Sequence, residues 1–178
     1  LRQYSIEHYL ERITSLRRAN PNITISTDII AGFPNETAAE HRETMKLLDA
    51  AQFDFIYSYN FSARKGTKAS RMNDILTNDI RGERLREIQA HQLKIQQETR
   101  SQMIGKTYRV LVEGNGNMKG IKKWKGRTSC FRIVHFEPET LDKDYQWHWV
   151  DLEITSSTAL SAQGKILRDH GREQQKRQ

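Results

Sequence analysis

The sequence predicts an α/β segment followed by an all-β module, and three observations carry that prediction. Amphipathic helices alternate with β-branched or aromatic strands up to about residue 104, the apolar period shortens to two after Gly105, and the basic excess is concentrated just beyond that change. A chain of 178 residues has room for one ordinary domain, or a part-domain plus a small module, and is too short for a large multidomain enzyme. No apolar run approaches the ~18 residues a membrane span needs, so no membrane partner is expected. Leu1 stands first and no signal-peptide layout follows, so the chain is expected to be an excised or processed piece. The single cysteine, Cys130, excludes an internal disulfide and any cluster held wholly by this chain. A reducing, cytoplasmic home is the simplest expectation.

Each element has its own signal. Ser5 caps a helix in which Ile6, Tyr9, Leu10, Ile13 and Leu16 follow helical spacing up to Asn20-Pro21. Residues 23–30 alternate as a strand, with Ile23, Ile25, Thr27 and Ile29 on one face and Thr24, Ser26, Asp28 and Ile30 on the other. After the turn Gly32-Phe33-Pro34-Asn35, the pair Thr37 and Glu40 forms a capping box for a second helix carrying Met45, Leu47, Leu48 and Ala51. The run 53–61 places aromatics at every odd position and predicts a second strand. Short connections make these parallel βα units, whose ligands sit beyond the carboxyl ends of the strands. That puts residues 28–36 and 61–67 on the functional rim. A long, half-exposed helix is expected from about Thr77 to Ile104, closing a first domain of residues 1–104.

In the second domain, 105–168, strands are expected at 108–113, 131–136, 147–154 and 164–167, with Gly114–Asn117 as a turn. Several short strands in so few residues suggest a five-stranded barrel of the OB type. Its first loop is expected to carry Lys119, Lys122, Lys123, Trp124, Lys125 and Arg127. Residues 169–178 read as a polar tail.

Charge localises the candidate nucleic-acid face. The net charge of +7 arises where residues 106–136 hold eight Lys or Arg against Glu113 alone, whereas 137–153 hold six acids against Lys143. Positive charge interleaved with Trp124 and Phe131, ending at Arg132, is the mixture that neutralises phosphates and stacks bases, and is favoured over a solvated basic face. On the α/β rim Asp28 accepts from a ligand donor or closes a capped turn, and 62–67 holds an anion or is a solvated loop. Asp54 starts its strand, so it is not expected to pair with Asp28. The six histidines lack ligand spacing, and no Walker, zinc or Gly-x-Ser-x-Gly motif is present.

Four ordered segments resemble radical S-adenosylmethionine methylthiotransferases: Ile25-Ser26-Thr27-Asp28-Ile29-Ile30-Ala31-Gly32-Phe33-Pro34-Asn35-Glu36-Thr37; Phe53-Asp54 leading to 57–67; Leu111-Val112-Glu113-Gly114; and Gly126-Arg127-Thr128 with Arg132-Ile133-Val134-His135-Phe136. The second and fourth resemble the tRNA branch, which methylthiolates isopentenyladenosine beside the anticodon. The resemblance implies that residues 1–104 end a six-unit partial barrel and that 105–168 is a TRAM domain, an OB-like RNA-binding module holding the tRNA anticodon arm. It also implies S-adenosylmethionine contacts at Asp28, Ile30, Gly32, Phe33, Phe61, Ser62 and Arg64, and RNA contacts at Lys119, Lys122, Lys123, Trp124, Lys125, Arg127 and Arg132. The family's two [4Fe-4S] clusters would be held by a missing N-terminal part of the polypeptide, so this chain alone is expected to be inactive. Asn35 stands where the family commonly has glycine, and Lys65 and Lys68 where it usually has proline. A ribosomal-protein methylthiotransferase fragment and a non-enzymatic RNA-binding module are the alternatives, and the exposed edges of a half-barrel allow a dimer or domain swap.

Overall fold

A computed structural model describes residues 4–118, 121–140 and 142–172. The chain divides into two compact units between Gln96 and Gln97. The first unit contains α1 (Ile6–Ala19), β1 (Ser26–Ala31), α2 (Ala38–Ala51), β2 (Phe55–Asn60), a 3-10 turn (Ala69–Arg71) and most of α3 (Asn78–Ser101). The second contains β3 (Thr107–Met118), β4 (Ile121–Thr128), β5 (Ile133–Phe136), β6 (His148–Ser157) and β7 (Ala162–Arg172).

Local chemistry sets the ends of the first helices. The Ser5 side chain accepts from the His8 N–H, and Thr37 and Glu40 form the full reciprocal capping box. Strands β1 and β2 pair in parallel, with Asp28 opposite Tyr57 and Ile30 opposite Tyr59. Asp54 clips their amino-terminal ends together, its N–H donating to the Ile25 carbonyl (2.9 Å) and its Oδ2 accepting from the Ile25 N–H (3.0 Å). It is a buried structural carboxylate. Ile13 of α1, Leu48 of α2 and Ile88 and Ile95 of α3 gather with Ile29, Ala31 and Phe53 in one core, so the helices cover a single face of the sheet. Fully burying a side chain such as Leu48 or Phe53 contributes about 1.5–3 kcal/mol each. The opposite face exposes Asp28, Ile30, Tyr57 and Tyr59. In β2, therefore, the aromatic side faces outward while Ile56 packs toward the helices.

The second unit is a closed barrel in the order β3-β4-β5-β7-β6, all pairs antiparallel except β5 with β7. Its core holds Val110, Val112, Val134, Phe136, Val150, Leu152 and Ile154 around Tyr145, which is fully buried and meets Phe136 edge-on at 5.6 Å. Four expectations are corrected. Gly114–Asn117 continues β3 rather than turning, because a β-bulge between Val112 and Gly114 absorbs the irregularity, and the expected basic loop is largely strand β4. Residues 169–172 extend β7 instead of starting a tail: Asp169 takes an ion pair from Lys143 (2.8 Å), and Arg172 reaches Asp144 (2.8 Å). Residues 173–178 lie outside the described residues. The barrel unit begins earlier than residue 105, since Met103 sits in its core and the Gly105 N–H donates to the Ile154 carbonyl (2.8 Å). No helix among the described residues is long and apolar enough to cross a membrane.

Candidate functional site

The first unit carries a cleft of about 520 Å³ at the carboxyl ends of β1 and β2, a size suited to a small molecule. Ile30, Phe33 and Tyr59 form its apolar walls, and Phe61 meets Phe33 edge to face at 5.3 Å. Asn60, Ser62 and Thr67 supply polar atoms, and Arg64 brings a guanidinium with no carboxylate partner among the described residues.

The turn after β1 is held open by glycine and by two arginines. Gly32 has φ +69, and a Cβ built on it would lie 2.3 Å from Arg81 Cγ. The Gly32 N–H donates to Glu36 Oε2 (3.0 Å), and the Gly32 carbonyl accepts from Arg81 Nε (2.9 Å). Arg81 also donates to the Leu76 carbonyl (2.7 Å), pairs with Asp74, and places its Cζ 5.9 Å from the centre of the Phe61 ring. Arg84 donates to both the carbonyl and the Oε2 of Glu36, at 2.8 and 2.7 Å, closing the turn from the same helix. Asn35 adopts φ 64, the left-handed conformation that glycine or asparagine tolerates best. The Phe61 N–H donates to the Ala31 carbonyl (2.8 Å), which carries the strand pairing into the cleft.

Of the seven residues expected here, Ile30, Phe33, Phe61, Ser62 and Arg64 line the cleft together. Gly32 does not line the cleft but sits in the turn between the lining residues Ile30 and Phe33, its carbonyl held by Arg81. Asp28 does not line it, because β1 runs on to Ala31 and leaves that carboxylate farther back on the open face, opposite Tyr57. Tyr59, Asn60, Thr67 and Ala69 are additional lining residues. Tyr59 was foreshadowed by its odd position two residues before Phe61, but its pairing with Ile30 depends on strand register.

On the barrel, β4 alternates with Trp124, Gly126 and Thr128 buried and Lys123, Lys125 and Arg127 turned outward. The outward cations recur every ~6.7 Å along the strand. Lys123 is tied to Glu137 (3.4 Å) and to Gln163 Oε1 (3.1 Å), and Arg127 to Glu113 (2.9 Å). Lys125 has no carboxylate partner among the described residues. Lys125 and Lys123 act on His135, which lies across from Lys125 on β5: burial first, then these two charges, hold its pKa below the usual histidine value. Arg132 follows on the β4–β5 turn, its N–H donating to Thr128 Oγ1 (3.2 Å). Lys119 and the side chain of Lys122 lie outside the described residues.

Trp124 overturns its expected role. Only 3% exposed, it packs edge-on to Tyr145 at 5.7 Å in the barrel core, so its ring faces are not open to a base. Alternation within a strand decides this, and the loop assignment concealed that alternation. Phe131 is instead the exposed aromatic beside the basic row.

Ion pairs elsewhere on the barrel are structural. Asp151 accepts from Arg109 Nε (3.0 Å) and pairs with His170 Nε2 (2.7 Å), and these hydrogen bonds, Arg109 first, lower its pKa to about 2. Among the described residues no group of three His, Cys, Asp or Glu side chains is placed to hold a metal ion.

No protein-family model matches the chain. Curated relatives do. It is 40% identical over 172 residues to the tRNA-2-methylthio-N(6)-dimethylallyladenosine synthase of Erwinia tasmaniensis, covering 94% of this chain and 34% of that protein. The protein of the same name from Salmonella arizonae gives the same identity and coverage. The one from Solibacter usitatus is 35% identical over 165 residues, 92% of this chain and 37% of its own length. The chain thus spans about a third of the length of the curated relatives it matches, corresponding to their C-terminal part.

Proposed function

We propose that this chain, homologous over 94% of its length to tRNA-2-methylthio-N(6)-dimethylallyladenosine synthases, is the C-terminal part of a tRNA methylthiotransferase. In this proposal the first unit ends a radical S-adenosylmethionine barrel and the second is a TRAM domain that holds the anticodon arm of tRNA. The observation that carries it is the convergence of Ile30, Phe33, Phe61, Ser62 and Arg64, separate in sequence, on one cleft at the carboxyl ends of parallel strands.

The donor set fits the adenosyl end of S-adenosylmethionine. Aromatic and aliphatic walls take a planar base, while the Asn60 amide and the Ser62 hydroxyl offer hydrogen bonds at its edge; the Thr67 hydroxyl instead holds the loop, donating to the Arg64 carbonyl (2.8 Å) and accepting from the Ser70 N–H (3.2 Å). Arg64 is suited to a carboxylate. Bound there, the cofactor would supply the methyl group and, next to a reduced cluster, radical chemistry. The residues here bind and orient. They do not fit an iron–sulfur cluster, since the chain has one cysteine, so no redox step is assigned to them and the isolated chain is expected to be inactive. The names of the relatives favour the tRNA branch over the ribosomal-protein branch.

On the barrel, Lys125 is the outward cation of β4 with no carboxylate partner among the described residues, and Lys123 and Arg127 extend the row. Such a surface gains affinity by releasing counterions from phosphates, so binding should weaken steeply with salt. The test is tRNA binding across a salt series for the chain and for a variant with Lys122, Lys123, Lys125 and Arg127 changed to Ala. Loss of binding and of the salt dependence in the variant supports the tRNA-holding role, and absence of binding by the unaltered chain at low salt removes it. For the parent, the full-length enzyme reconstituted with its clusters is offered tRNA containing isopentenyladenosine. A methylthio product found by mass spectrometry supports the assignment. Reaction with a ribosomal protein instead would defeat it.

A further inference from the structure

The turn from β4 to β5 spends stability to display an aromatic ring. Three residues, Ser129, Cys130 and Phe131, connect Thr128 to Arg132. The Phe131 N–H donates to the Thr128 carbonyl (2.9 Å) and the Thr128 N–H to the Arg132 carbonyl (3.0 Å), so the three-residue hairpin needs a left-handed residue at its last position. Glycine is the usual occupant. Here it is Phe131, at φ +59 and 70% exposed. A bulky side chain in that conformation is strained, and its ring, left in solvent, adds little burial in return. Among the described residues, two of the four non-glycine residues at positive φ are exposed aromatics, Phe131 and Trp147, and of these Trp147 precedes β6 and belongs neither to β4 nor to its turn.

Phe131 adjoins the cation row of β4. Arg127, which also pairs with Glu113 (2.9 Å), directs Nη1 to the Phe131 carbonyl (3.5 Å), and Lys125, one outward position farther along the strand, has no carboxylate partner among the described residues. A projecting ring at the end of a row of cations is the arrangement that binds single-stranded nucleic acid, the cations following the backbone and the ring stacking one base. Trp124 is buried and does not compete for this role.

We propose that Phe131 is the stacking platform for one unpaired RNA base whose flanking phosphates lie along Lys125 and Arg127. The proposal deepens the RNA-binding role given to the barrel above and rests on it. Stacking is a neutral contact, so it predicts an effect on affinity separable from both charge and fold.

The probe is a single-stranded RNA carrying 2-aminopurine, titrated against the chain and its F131G, F131W and K125A variants over a salt series, with thermal unfolding of each. F131G relieves the left-handed strain, so its melting temperature should hold or rise while RNA affinity falls about tenfold and the stacking-dependent change in 2-aminopurine fluorescence disappears. Its salt slope should stay that of the unaltered chain. F131W should restore affinity and signal, and K125A should lower the salt slope by about one while keeping the signal. F131G binding as tightly as the unaltered chain, or weakening only with a fall in melting temperature, overturns the proposal. Failure of the unaltered chain to bind any RNA at low salt overturns the RNA-binding role beneath it, and the two failures are thereby distinguishable.

Discussion

Replacing Gly32 by alanine tests whether the cleft depends on the close approach of Arg81 to the turn after β1. The new Cβ would lie 2.3 Å from Arg81 Cγ and 3.1 Å from its Cβ and Cδ, well inside contact distance. Arg81 has little freedom to yield, because it is buried, donates to the carbonyls of Gly32 and Leu76, and pairs with Asp74. The left-handed φ of +69 costs an L-residue about 1–2 kcal/mol, and overpacking against a buried neighbour typically another 1–3 kcal/mol. Gly66→Ala separates the two effects. Gly66 also has positive φ, +88, but nothing lies within 4 Å of its Cβ position, so that variant should lose only the conformational part.

The two units report separately in urea unfolding. All three tryptophans, Trp124, Trp147 and Trp149, belong to the barrel, whereas the helical circular dichroism arises chiefly from the first unit. Gly32→Ala should shift the helical transition by about 1–3 kcal/mol more than Gly66→Ala, leaving the fluorescence transition in place. Displaced Arg81 should also withdraw from the Phe61 ring, and under the proposed function this should weaken S-adenosylmethionine binding by the full-length protein. Equal shifts for the two variants, or a shift confined to tryptophan fluorescence, would refute the role given to Arg81.

Three further outcomes follow from the same geometry. Glu36→Ala strands Arg84, whose side chain is only 11% exposed, and removes the acceptor of the Gly32 N–H, so it should cost about 3–5 kcal/mol in the helical transition; a change below 1 kcal/mol would contradict a buried pair. Gly126→Ala places a Cβ 2.4 Å from the Leu111 carbonyl oxygen and should destabilise the barrel by about 1–3 kcal/mol, whereas Gly114→Ala meets nothing within 4 Å and should be neutral within about 0.5 kcal/mol, both read by tryptophan fluorescence. His135 has a folded-state pKa below its unfolded value, so the unfolded chain binds the proton first and barrel stability should decline as pH falls below about 6.5, levelling off once the folded form is also protonated. His135→Gln should flatten that part of a stability-against-pH curve, and an unchanged slope would remove His135 as its source.

The local signals in the sequence were sufficient for much of the framework. Ser5, Thr37 and Glu40 announce two helix starts because capping is a contact among residues three apart, and those contacts form as expected. Alternation in β1 separated Ile29 from Asp28 and Ile30 before any partner was known. The segments 25–37 and 57–67 pointed to the cleft, and five of its expected residues do converge there.

Tertiary structure decided the rest, and in each case the deciding partner is distant in the chain. Arg81 looks like one of many charges on an exposed helix until the fold brings it 49 residues back to the Gly32 carbonyl. Gly114 and Gly116 read as a turn, yet a bulged ladder to β4 keeps them in a strand, and that pairing turns Trp124 into the barrel and Lys125 out of it. Capping and alternation are set by neighbours along the backbone and are therefore written locally. Register, burial and charge neutralisation depend on which strand lies alongside, and for this protein those pairings determine which aromatic and which lysine remain available to a ligand.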